Sequence, residues 1–267
     1  MNILFCGDQN VCKGICLSVL SLCKHTAEKL DIYILTASIP GHLAITGDYA
    51  QKLHDMLRRK NRADHVYLID ASDVFAIYQP TANMDTRFTP YCMLRLFADM
   101  IPQIPDKILY LDTDVLCRAD FRDFYHTDIS NIEIAGVPDR YGKWFFGNII
   151  KHNYLNSGVL LINMANIRRS DLFQNCRAMC RDKRMFMPDQ SALNKLAVKK
   201  KLPHRFNEQG KIRQDTVFKH FTTFFKFFPF FRAVTIKPWH TERMHSELKI
   251  FEFDDLLNEY QRSIENE

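Results

Sequence analysis

A chain of 267 residues with 46% apolar and 25% charged side chains is too apolar to stay disordered and long enough to bury one large core, which excludes disordered chains, peptide hormones and disulfide knots. Thirty-six Lys and Arg against 31 Asp and Glu leave a formal charge of +5 without a long basic run. That mild excess suits anionic small molecules or an anionic surface and gives little support to nucleic acid as a partner. Residues 2–6 (NILFC) read as a first strand, and the polar turn that begins at Asp8 leads into a helix over 11–25 carrying Ile15, Val19 and Leu22 on one face. A second strand is expected at 31–37, a helix at 48–60 and a third strand at 65–70. A helix over 90–100, closed by Pro102 and Pro105, precedes a buried strand at 107–112 that ends in acidic residues. This alternation predicts a doubly wound α/β sheet with ligands beyond the carboxyl ends of its strands.

The second half is less regular. Strands are expected at 132–137 and 158–163, and helices at 166–182 and 189–199, with no internal repeat or flexible linker. Residues 218–232 crowd eight of the 21 phenylalanines into one stretch, and the last 20 residues read as a peripheral helix. The N-terminus has no basic leader ahead of an apolar core, which argues against a signal peptide. No run approaches the roughly 20 apolar residues of a spanning helix. Eight cysteines without a paired CxxC arrangement are read as reduced thiols of a cytoplasmic protein.

The strongest local signal for chemistry is Tyr110-Leu111-Asp112-Thr113-Asp114-Val115. An apolar strand that stops at two carboxylates makes an uncompensated negative site, whose simplest use is to hold a divalent cation through oxygen ligands. The plainer alternative is that Asp112 and Asp114 cap the following helix or turn. Asp8-Gln9-Asn10, after the first strand, faces the same edge and either reads a nucleobase or ribose or forms an Asx turn. Neither a Walker lysine loop nor GxGxxG is present, so phosphate binding would fall to a metal and to cations such as Arg95, His220 and Lys237.

At these motifs the chain resembles the retaining nucleotide-sugar glycosyltransferases of family 8. The resemblance covers nearly the whole length: FCGDQN, YCMLRLFADMIP, ILYLDTDVL, AGVPD, YLNSGVLLINM, PDQSALN, LPHRFNE, FKHF and IKPWH occur in order. It implies a single GT-A type domain over 1–240, a Rossmann-like mixed sheet flanked by helices, with a Phe-rich insertion at 221–233 and a helical extension at 241–267. It also implies Asp112, Asp114 and His220 as ligands of manganese or magnesium, Asp8 and Asn10 on the uridine, Arg95 near the donor and Lys237 on the diphosphate. Asp139, Asn156, Ser157, Asp189 and Gln190 would surround the donor sugar, with Gln190 nearest the reacting carbon and Asp189 and Asp139 completing the catalytic set.

The implied activity is metal-dependent transfer, with retention, of galactose or glucose from a UDP-sugar to a sugar of a cell-surface glycan or lipopolysaccharide. Cleaving a sugar–diphosphate bond develops negative charge on the leaving phosphate, which a cation and Lys237 would stabilise. An amide such as Gln190 is a poor nucleophile, which favours attack from the leaving-group face. Two features depart from the family pattern: Val11 stands where an aromatic residue often follows the Asp-x-Asn, and a segment without glycine separates His220 from Lys237. Phe224, Phe225, Phe227, Phe228, Phe230 and Phe231, with Lys226 and Arg232, form either a patch that dips into an anionic membrane at the inner face of the cell membrane or ordinary core. Competing readings are a catalytically silent UDP-sugar or glycan-binding module and a haloacid-dehalogenase-like phosphatase with Asp112 as nucleophile. The phosphatase reading lacks a Gly before Asp254-Asp255.

Overall fold

The computed structural model describes residues 1–60, 63–86, 89–142, 153–226, 228, 230 and 232–265. Strand β1 (Asn2–Cys6), helix α1 (Cys12–His25), β2 (Asp31–Thr36), α2 (Gly47–Arg59), β3 (His65–Asp70) and α3 (Ser72–Ile77) form the first half with β4 (Lys107–Leu111). The chain continues through β5 (Val115–Cys117), α4 (Arg122–Tyr125), β6 (Ile134–Pro138), β7 (Leu155–Asn163), α5 (Met164–Ser170), α6 (Leu172–Asp182), α7 (Pro188–Leu196) and β8 (Lys199–Lys201). It ends with β9 (Phe218–His220), β10 (Phe224–Lys226), β11 (Arg232–Val234) and α8 (Asp254–Glu265).

One seven-stranded sheet, in the order β3-β2-β1-β4-β7-β6-β8, carries the fold. The β1, β2, β3 and β4 pairings are parallel, whereas β7 runs antiparallel to both β4 and β6. The doubly wound expectation therefore gives way to the mixed sheet that the resemblance implies. The reversal matters for the site, because the first residues of β7 lie beside the last residues of β4.

Alternation along each strand fills both faces. Ile3, Phe5, Ile32, Ile34, Leu109 and Leu111 pack with Ile15, Val19 and Leu22 of α1 on one side. Leu4, Tyr33, Leu35, Ile108, Tyr110 and Leu160 pack with Leu94, Phe97 and Phe173 on the other. The α8 helix lies against α1, with Leu256 buried and Asp255 paired to Lys24. No cysteine among the described residues forms a disulfide, and no described helix is long and apolar enough to cross a membrane.

Several elements differ from expectation. Residues Pro90–Met100 wind as 3₁₀ rather than α-helix, and the Cys92 carbonyl, which an α-helix would give to a backbone N–H, accepts from Arg95 Nε at 2.9 Å. A 3₁₀ run this long is uncommon and often marks a functional segment. The helix expected over 166–182 breaks at Asp171, which adopts φ 56°. The helix expected over 189–199 ends at Leu196, and Lys199–Lys201 form β8, pairing with Ile134–Gly136 at the sheet edge; three lysines blunt that edge against further pairing.

The Phe-rich segment divides. Phe218 and Phe221 are core, with Phe218 against Phe121 and Phe221 against Phe253. The β10–β11 hairpin carries the next rings outward, so that Phe228 and Phe230 are 88% and 80% exposed. Phe227 and Phe231 lie outside the described residues.

Candidate active site

The chain leaves β4 at Leu111 and turns through Asp112-Thr113-Asp114 into β5. Asp112 N donates to Gly158 O at 2.8 Å and Val115 N to Asp112 O at 3.1 Å. Neither aspartate caps a helix. Asp112 Oδ1 accepts from Tyr110 Oη at 2.7 Å and from an Arg95 Nη at 3.0 Å, which leaves Oδ2 facing inward. The β5–β9 pairing, register Val115↔His220, brings His220 Nε2 to 3.3 Å from Asp114 Oδ1 and 3.7 Å from Asp112 Oδ2. One donor atom from each of the three residues lies within 4.8 Å of the other two.

The protonation of His220 follows from its neighbours. The Asp139 carboxylate can only accept, so Asn156 Nδ2 donates to Asp139 Oδ2 at 2.9 Å. That orients Asn156 Oδ1 to accept from Asn207 Nδ2 at 2.9 Å and from Gly158 N at 3.0 Å. Asn207 Oδ1 then accepts from His220 Nδ1 at 3.2 Å. Nδ1 therefore carries a proton, and Nε2, which faces the two carboxylates, is the nitrogen that a cation would use. Gly158 makes room for this arrangement: a Cβ there would stand 2.2 Å from His220 Cε1 and 2.7 Å from Asp112 Oδ2. Two carboxylates and a correctly tautomerised imidazole around a glycine cradle fit a divalent cation that prefers oxygen and nitrogen ligands.

Lys237 Nζ pairs with Asp114 Oδ2. Burial pushes the Asp114 carboxyl up, but the Lys237 ammonium and His220 overcome it and hold it well below the usual range. Burial alone would lower Lys237, and the Asp114 carboxylate more than reverses that. The hairpin of the Phe-rich segment loops away, so His220 and Lys237 both reach Asp114.

These groups line a cavity of about 230 Å³ together with Asn156, Ser157, Asp189 and Gln190. Gln190 Oε1 accepts from Ser157 N at 2.9 Å, from Ser157 Oγ at 3.2 Å and from Asn156 Nδ2 at 3.5 Å, while Nε2 donates to Asp139 Oδ2 at 3.3 Å. Asp189 is buried, which pushes its carboxyl up against the pull of Arg95. Its Oδ2 lies 3.4 Å from Arg95 Nε yet makes no hydrogen bond. Arg95 is 2% exposed, stacked 3.8 Å from the Tyr110 ring centroid and bonded to the Ser157 carbonyl. Its guanidinium anchors Asp112 and Asp189 from beneath the cavity.

Asp8 and Asn10 are not among the residues lining this cavity; Val11 is. Asp8 caps the following 3₁₀ turn, accepting from Asn10 N at 3.1 Å and Asn10 Nδ2 at 3.0 Å, with His42 Nδ1 at 2.8 Å. That is the Asx-turn alternative, reinforced by a histidine that the sequence did not single out. Asp139 likewise stands behind the cavity, holding Asn156 and Gln190. Asn207 and Gly158 also escaped sequence reasoning, although a glycine inside an apolar strand is itself a sign of close approach. Asp254 and Asp255, the acidic pair that a phosphatase would need, are engaged by His245 and Lys24 on the C-terminal side.

Comparison with known proteins agrees with this layout. The lipopolysaccharide 1,2-glucosyltransferase of Escherichia coli is 23% identical, over 90% of this chain and 73% of its own length. The lipopolysaccharide 1,3-galactosyltransferase of Salmonella typhimurium is also 23% identical over the same shares. The solved structure of the galactosyltransferase LgtC in complex with donor and acceptor sugar analogs superposes with a TM-score of 0.71 at 19% identity, covering 98% of this chain and 96% of that one. The profile of Glycosyl transferase family 8 matches residues 2–243, and the chain, with its GT-A fold, belongs to that family.

Proposed function

We propose that the protein is a metal-dependent, retaining hexosyltransferase that moves glucose or galactose from a UDP-sugar to a sugar acceptor of a lipopolysaccharide or other cell-surface glycan. The observation that carries the reading is the cluster of Asp112, Asp114 and His220, with Lys237 on Asp114, in the cavity that also presents Gln190. Asp112, Asp114 and His220 would hold manganese or magnesium, which when bound supplies Lewis-acid charge for the leaving diphosphate. Lys237 adds a second positive charge, and Asp8 and Asn10, whose Asx turn shapes the loop after β1 that brings Val11 to the cavity, would serve the uridine.

Gln190 orients the sugar rather than attacking it. Its Oε1 is already engaged by three donors and its Nε2 by Asp139, so no lone pair is directed freely at an anomeric carbon. This supports same-face attack, with the departing phosphate taking the acceptor's proton. Asp189 Oδ2, buried and without a hydrogen bond, would accept from a sugar hydroxyl, and Asn156 and Ser157 would complete the positioning. The exposed Phe228 and Phe230 beside Lys226 and Arg232 would hold the enzyme at an anionic inner membrane face, next to a lipid-linked acceptor. The lipopolysaccharide relatives support the acceptor class alone.

The deciding experiment measures UDP release from a panel of UDP-sugars, with water as acceptor, in manganese and in chelator. Slow release from one UDP-hexose, lost in chelator, is expected. Release that chelator leaves unchanged would remove the metal from the reading, and absence of both release and UDP binding would favour a silent relative of the family.

A further inference from the structure

A second, larger cavity of about 710 Å³ lies between β9 and the segment 247–252. Thr222 lines both cavities. Four cationic side chains line the second one: Arg140, Lys211, Lys219 and Lys249. None of them forms an ion pair with a carboxylate among the described residues. The two acidic residues of the wall, Glu247 and Glu252, are paired elsewhere, Glu247 with Lys226 and Arg243 and Glu252 with Arg118. Positive charge is therefore left uncompensated.

Lys219 is the built element. It is 4% exposed, and its ammonium rests on two backbone carbonyls, Gly210 O at 2.6 Å and Glu208 O at 3.4 Å. The Glu208 carboxylate makes no ion pair with Lys219 and is spent on other partners, Oε1 on Gly210 N at 2.6 Å and Oε2 on His204 and Arg213. Arg140 converges on the same point, for one of its Nη atoms lies 2.9 Å from where a Cβ of Gly210 would stand. A buried ammonium without a carboxylate is costly unless a ligand supplies the missing negative charge. Phe221, Phe224, Leu248, Ile250 and Phe251 add apolar wall on which a sugar or lipid face can lie.

The cavity is also wired to the reaction centre. Arg140 directly follows Asp139, and its backbone N–H is held by Gln209 Oε1 at 2.8 Å, while Gln209 Nε2 donates to the Pro138 carbonyl at 3.1 Å. Lys219 directly precedes His220 on β9. We propose that this cavity binds the anionic part of the acceptor, so that the enzyme's acceptor is a phosphate- or carboxylate-bearing saccharide rather than a neutral one. The assignment rests on the transferase reading of the neighbouring site.

Calorimetry on the full chain in chelator, where no cation bridges an anion to Asp112 and Asp114, tests it with glucose 6-phosphate, glucuronate and glucose. Binding of one or both anionic sugars but not of glucose is expected, and the two anionic arms separate phosphate from carboxylate recognition. The Arg140→Ala/Lys249→Ala double variant should weaken that binding at least about tenfold, whereas Asp112→Asn should leave it unchanged. Equal binding of all three sugars, no binding of either anion, or indifference to the double variant overturns the proposal. In manganese, an anionic sugar seated as acceptor either accepts the hexose or displaces water, so the rate of UDP release must change in wild type and not in the double variant. Binding that leaves UDP release untouched refutes the acceptor role. UDP binding and basal release, measured on the same preparations, show separately whether the transferase reading itself stands.

Discussion

Gly158→Ala isolates the architecture of the proposed metal cluster without replacing any of its three side chains. The added Cβ would lie 2.2 Å from His220 Cε1, 2.9 Å from His220 Nδ1 and 2.7 Å from Asp112 Oδ2. Carbon atoms rest at about 3.5 Å or more, so the imidazole must retreat by about 1.3 Å. It cannot do so within its present contacts, because His220 is 4% exposed and its Nδ1 is held by Asn207, which is 0% exposed. Overpacking of this kind costs about 1–3 kcal/mol of stability, and a misplacement of about 1 Å at a reacting centre costs about a hundredfold in rate. The expected result is a folded protein with a lower melting temperature, manganese affinity reduced at least about tenfold, and UDP release reduced about a hundredfold. Calorimetry with manganese, a UDP-release assay and thermal denaturation measure the three. Gly47→Ala, where a Cβ meets nothing within 4 Å, serves as the control. Should Gly158→Ala keep wild-type manganese affinity and rate, the assignment of His220 and Asp112 to one ion would be wrong.

Asn207→Ala removes the acceptor that fixes the His220 proton on Nδ1, and manganese affinity should fall about 10–100-fold while the circular dichroism spectrum stays native; unchanged affinity would sever Asn207 from the site. Lys219→Met should stabilise the protein at pH 7, since a pKa lowered from 10.5 to about 8 corresponds to a cost on the order of 3 kcal/mol. The unfolded chain keeps that proton up to its higher pKa, so the cost is full below pH 8 and is relieved as pH rises toward 10.5. The gap in melting temperature between Lys219→Met and wild type should therefore narrow over that window, and a constant gap would show that charge is not its cause. Replacing Phe228 and Phe230 together by Ser should reduce binding to anionic vesicles at least about tenfold, because burying each ring contributes about 1.5–3 kcal/mol; equal binding would return the hairpin to a purely structural role.

The parallel half of the sheet was legible because β1, β2 and β4 are apolar runs bounded by polar turns. The first residues of β7 were not, since Asn156 and Ser157 are polar yet buried, and their cost is met by Gln190, Asp139 and Asn207 rather than by any pattern local to the strand. β8 escaped notice because a Lys-Lys-Lys edge has no apolar alternation. Asp112 and Asp114 stood out as carboxylates at the end of an apolar strand, whereas the partnership of His220 came only from family resemblance. Its physical basis is the β5–β9 pairing, which joins segments too distant for local spacing to connect. Arg95, expected near the donor, lines the cavity, and its guanidinium is spent on Asp112, the Ser157 carbonyl and the Tyr110 ring.

That short β5–β9 ribbon also orders events in time. Two ligands of the cluster emerge with β4 and β5, but the third waits until β9 has been made and has found its partner across most of the intervening chain. Contacts of such long sequence separation form late, after loop-closure entropy has been overcome. An emerging N-terminal half can therefore lay down β1 to β4 and still lack the third member of the cluster, and capture of the proposed cation would report that β9 has paired with β5.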